Sequence, residues 1–114
     1  MKKMAMQNGT KEMIRNNIKV RVEFKNGVPH MKFRDSWLDE VFDVEVNLES
    51  LEEVEKYPYR IEIEAFSVDA MKLQRFTRYH KTESDAALDL KKFKVGDEYL
   101  DDVVIKNVKG PFRA

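Results

Sequence analysis

Three stretches of the chain alternate strictly between apolar and polar residues, and no other feature narrows the fold as far. In NIKVRVEF, Asn17 to Phe24, Ile18, Val20, Val22 and Phe24 fall on one side of an extended chain. Lys19, Arg21 and Glu23 fall on the other. VFDVEVNL, Val41 to Leu48, repeats the pattern, with Phe42, Val44, Val46 and Leu48 expected inward. YRIEIEAF, Tyr59 to Phe66, repeats it again, with Tyr59, Ile61, Ile63 and Ala65 on its core side. A period of two is the signature of a strand with one buried face, and several such strands read as an antiparallel sheet.

The connections sharpen this reading. Lys25-Asn26-Gly27 follows the first strand, and Asn-Gly supplies the positive φ angles of a tight hairpin. The return strand is expected over Val28 to Arg34. Pro29 cannot donate to a ladder, so this strand should lie at an edge or pair only in part. Ser50 and Glu53 have the spacing of a capping box, predicting a short helix over Leu51–Lys56 that stops before Pro58. Trp37, after the hairpin, is expected to close the bottom of a core.

Residues 68–80 decide between two architectures. Leu73, Phe76 and Tyr79 recur every three residues, which predicts a helix. Phe76, Thr77 and Tyr79 also suit a strand. Ala87, Leu90 and Phe93 mark the inner face of a further short helix. Asp102 to Val108 is the expected last strand, ended by Gly110 and Pro111. The order predicts an α+β domain: an antiparallel sheet of four to five strands with helices on one face. The alternative, with residues 71–80 as a fifth strand, is a small barrel like the oligonucleotide-binding fold. At 114 residues the expectation is a loose leader over 1–16 and a single globular domain over 17–110.

Charge is balanced in total and segregated in sequence. Residues 1–36 carry nine Lys/Arg and three Asp/Glu; residues 37–70 carry two and eleven; residues 71–114 carry ten and seven. Residues 39–55 hold eight acids and no base. The run QRFTRYHK, 74 to 81, holds two aromatics and three permanent cations without a carboxylate. On a helix, Arg75, Arg78 and Lys81 would form one stripe able to neutralise phosphates. On a strand, Phe76 and Tyr79 would face opposite ways, and one ring could stack on a base.

These features predict a small nucleic-acid-binding accessory protein. Its contacts would be Lys72, Arg75, Phe76, Arg78, Tyr79 and Lys81, extended by Lys19, Arg21, Lys32 and Arg34 of the hairpin. The plain alternative is that the cations sit in water or pair with the acidic stretch. A second functional expectation is a protein-interaction or inhibitor module. It would offer a basic partner the acidic 39–55 face, or an open sheet edge. An edge strand can also pair with its own copy, so a homo-oligomer belongs among the expectations.

Catalysis finds no motif: there is no G-x-S-x-G turn, no phosphate-binding glycine loop and no G-x-G-x-x-G among four glycines. His30 and His80 lack metal-ligand spacing, and there is no cysteine, so no metal or cofactor is expected. No apolar run is long enough for secretion or a membrane span, which predicts a cytoplasmic protein without membrane contact.

Overall fold

The computed structural model describes residues 7–35, 37–100 and 102–113. The chain divides into two compact units, Met1–Val54 and Glu55–Ala114. Both are built on antiparallel sheets, with a single α-helix among the described residues, so the α+β class holds in its coarse form. There are two sheets where one was expected, and neither closes into a barrel.

The first unit is a five-stranded sheet. Its strands are β1 (Gly9–Arg15), β2 (Ile18–Lys25), β3 (Val28–Asp35), β4 (Glu40–Glu45) and the two-residue β5 (Glu52–Glu53), in the order β4-β3-β2-β1-β5. β1 lies inside the span read as a loose leader and pairs along its whole length with β2. Its signal is hidden because Met13 and Ile14, neighbours that point to opposite faces, are both buried. Asn16 and Asn17, both at positive φ, make the turn between them. The Asn-Gly hairpin forms as expected, with Asn26 at φ 52° and Gly27 at φ 79°. The core of this unit is Met13, Val22, Phe24, Met31, Val46 and Leu51.

The return strand pairs with β2 only in part, and Pro29 turns its backbone the other way, its carbonyl accepting from the Val46 amide at 3.0 Å, so its missing donor falls on the β4 side. β2 and β3 pair only at Glu23 with His30, Phe24 with Pro29 and Lys25 with Val28. Beyond that point β3 leaves β2 and continues with β4, from His30 opposite Glu45 to Asp35 opposite Glu40. The capping box does not form. Instead Asn47 caps a 3₁₀ turn over Leu48–Ser50, its side chain accepting from the Glu49 amide at 2.9 Å. The expected helix over Leu51–Lys56 is replaced by β5 and a second 3₁₀ turn. Glu52 and Glu53 pair with Ile14 and Met13.

The second unit is a four-stranded sheet of β6 (Tyr59–Ser67), β7 (Lys72–His80), β8 (Glu98–Leu100) and β9 (Val103–Arg113), ordered β7-β6-β9-β8. Helix α1 (Glu83–Leu90) packs against β6, β7 and β9. Ile61, Ile63, Ala86 and Ile105 form its core, with Phe76, Leu90 and Phe93 packed around them. β7 corrects the helix expected over 68–80. Every residue from Lys72 to His80 has a partner on β6, and the strand preference of Phe76, Thr77 and Tyr79 prevails over the three-residue recurrence. β9 runs through Gly110 and Pro111, past the expected stop. Among the described residues no helix is long and apolar enough to cross a membrane.

Candidate functional site

The strand assignment of β7 rearranges the basic run. Successive side chains on a strand alternate between faces, so Phe76, Arg78 and His80 share the face that packs against α1, while Arg75, Thr77 and Tyr79 share the other. The expected stripe of Arg75, Arg78 and Lys81 is therefore not formed. Arg75 reaches across the ladder to Glu64 of β6 at 3.0 Å, and that hydrogen bond holds the Glu64 carboxyl below its ordinary range. Arg78 donates to Asp89 of α1 at 2.6 Å, and His80 lies 2.8 Å from the same oxygen. Lys81 sits 5.5 Å from the centre of the Tyr57 ring. Lys72 is exposed at the strand start, and Tyr79 lies opposite Arg60. The outer face of this sheet is a mixed-charge surface, with Arg60 also paired to Glu62 at 3.1 Å.

The hairpin cations belong to the first unit. Lys32 is 3.9 Å from Glu23, and Arg34 donates to Asp39 at 2.5 Å. Two of the candidates do meet: Arg21 and Lys32 border a cleft of about 520 Å³ where β2 and β3 part. Val20 and Met31 line it on the core side of the sheet, and Arg21, Glu23, His30 and Lys32 on the outer side. Lys19 precedes Val20 on the outer face of β2.

What sequence reasoning missed is the condition of β4. Its alternation is that of a half-buried strand, yet all six residues are exposed. Phe42 and Val44 lie opposite Phe33 and Met31, on the core side of the sheet, but each retains 42% of its surface. The β3–β4 hairpin extends past the reach of β2, so nothing in its own sheet covers its far half. Val46 alone of the four residues expected inward is buried. On the other face, Asp43 pairs with Lys25, whose ammonium holds the carboxyl below its ordinary range. Glu45 on that face, and Glu40 on the face of Phe42 and Val44, make no ion pair among the described residues.

The hairpin tip is built, not slack. One carboxylate oxygen of Asp35 accepts from the amides of Trp37 at 2.8 Å and Leu38 at 3.2 Å. Asp39 takes a positive φ of 54°. The turn presents Trp37 with 95% of its surface open, so the expectation that it closes a core is overturned. Local hydrogen bonds fix the turn, and the length of the hairpin carries the indole clear of the core.

Among the described residues no group of three or more His, Asp or Glu side chains is placed to hold a metal ion. Comparison with known proteins finds no family model, no curated protein and no solved structure that matches the chain.

Proposed function

We propose that this chain is a protein-interaction module that captures its partner on the β4 edge of the amino-terminal unit. The observation that carries the reading is that β4 ends the sheet with all six residues exposed, three of them large and apolar: Val41, Phe42 and Val44. An edge strand offers a row of backbone donors and acceptors to another chain, and proteins that do not use such an edge usually shorten, cover or charge it. β4 carries Glu40, Asp43 and Glu45 and no cation. The fitting partner is an extended segment that alternates apolar residues with Lys or Arg. Its backbone would continue the ladder, its apolar residues would lie beside Phe42 and Val44, and its cations beside the acids. Trp37 at the tip is a preformed aromatic anchor of the kind that dominates interface energetics.

The polyanion reading has less in its favour. Arg75, Arg78, Lys32 and Arg34 each have a carboxylate within 4 Å, which a phosphate would have to displace.

The test is a labelled peptide alternating lysine and valine, followed by fluorescence anisotropy. Binding is expected, with loss on Phe42→Lys combined with Val44→Lys, and loss again when alternate peptide amides are N-methylated. No binding, or binding untouched by both changes, refutes the proposal.

A further inference from the structure

The cleft and the edge strand are complementary to each other, and within one copy they do not meet. β2 reads Ile18, Lys19, Val20, Arg21, Val22, with apolar residues on the core face and cations on the outer face. β4 reads Val41, Phe42, Asp43, Val44, Glu45, with Phe42 and Val44 on the core face and acids on the outer face. Over these residues β2 pairs with β1 on one side and, among the described residues, with no strand on the other, because β3 has turned away to β4.

We infer that the partner is a second copy of this chain, whose β4 lies antiparallel along the open side of β2 in the cleft beside Arg21 and Lys32. This rests on the reading of β4 as a docking edge. One register satisfies the four open positions, Lys19 opposite Glu45, Val20 opposite Val44, Arg21 opposite Asp43 and Val22 opposite Phe42; Val41 and Glu40 lie past them, where β2 is paired with β3, and leave the ladder there. Residues directly opposite on an antiparallel pair share a face, so apolar meets apolar on the core side and cation meets carboxylate on the outer side. Arg21 is exposed and makes no ion pair among the described residues.

The alternative contact between copies, edge to edge through two β4 strands, is disfavoured by charge. Centred on Asp43, it sets Asp43 against its own copy. Centred on Phe42, it sets Asp43 opposite Val41 and Glu40 opposite Val44, so carboxylates face apolar side chains and no cation of either strand answers them. The β4-to-β2 contact joins different surfaces of the two copies, and it is repeated in both directions if the pair closes. The segregation of charge along the sequence, basic before residue 37 and acidic after it, then serves recognition between copies.

The experiment measures mass by light scattering against concentration. Two variants are made: a cleft variant, Lys19→Glu with Arg21→Glu, and an edge variant, Asp43→Lys with Glu45→Lys. The wild type self-associates, and each variant alone does so about tenfold more weakly or worse, because like charges now face each other. An equimolar mixture of the two recovers the wild-type mass, because every opposed pair is again of opposite sign; unfolded variants cannot recover it. If Asp43→Lys disrupts the hairpin, Glu45→Lys against Lys19→Glu repeats the test at one pair. A wild type that stays monomeric to roughly 1 mM, a Kd equivalent to about −4 kcal/mol, overturns the inference. So does a mixture that fails to recover. A monomer that still binds the lysine–valine peptide overturns the second copy alone; a monomer that does not bind it overturns the edge reading as well.

Discussion

Replacing Asp89 with alanine should destabilise the carboxy-terminal unit by several kcal/mol. Asp89 is 5% exposed, and one of its oxygens takes hydrogen bonds from two residues of β7, Arg78 at 2.6 Å and His80 at 2.8 Å. His80 is itself 7% exposed, and the Arg78 side chain is mostly covered. Removing the carboxylate takes from Arg78 and His80 the acceptor that they share inside the unit. Breaking a buried charge pair in this way costs about 3–5 kcal/mol, a large part of the roughly 5–15 kcal/mol that holds a domain of this size. With a urea slope of about 1.5 kcal/mol/M, the midpoint should fall by about 2–3 M.

The measurement is urea unfolding followed by tyrosine fluorescence and far-ultraviolet circular dichroism, at several pH values. Burial pushes the Asp89 carboxyl up, but the hydrogen bonds from Arg78 and His80 outweigh it and hold the group below its ordinary value. A depressed folded pKa means stability that is full above the unfolded value of about 3.9 and lost as pH falls through the folded one. The gap between wild type and variant should therefore be full at neutral pH and shrink below about pH 4. A midpoint change under about 0.3 M at neutral pH, or a gap that grows in acid, would refute the reasoning.

Three further outcomes follow from the same geometry. Gly27 holds φ 79° in the β2–β3 turn, so Gly27→Ala should cost about 1 kcal/mol in a denaturant melt; no loss would show that the turn relaxes to another type. Ile63→Ala, in the buried core of the second unit, should cost about 2–5 kcal/mol, whereas Phe42→Ser should cost under about 1 kcal/mol; equal losses would mean that Phe42 is buried in solution. A DNA-cellulose column near 0.1 M salt should let the protein flow through, because the strongest candidate cations are paired; retention relieved by Arg75→Ala with Arg78→Ala would restore the polyanion reading.

Much of the fold was legible because alternation reports extended backbone directly. β2, β6 and the Asn-Gly hairpin lie close to their expected places, and Ile61, Ile63 and Ala65 are buried as their period requires. β1 was not legible, because a strand that buries neighbours on both faces shows no alternation. β7 was misread because three apolar residues at intervals of three fit a helix, while the pairing with β6 that overrides them is not local. The acidic character of residues 39–55 was visible in the sequence. The exposure of Phe42, Val44 and Trp37 was not. A strand whose inner face lacks a cover has the same sequence pattern as one that is covered, and the parting of β3 from β2 after Glu23 and His30 is not a local property of either strand.

Amide hydrogen exchange across Glu40–Glu45 tests the docking edge most directly. The amides of β4 that point away from β3 should exchange quickly in the dilute free protein and slow markedly when the lysine–valine peptide is added, in step with its binding isotherm. Binding that leaves those amides as fast as before would place the contact elsewhere and contradict the account.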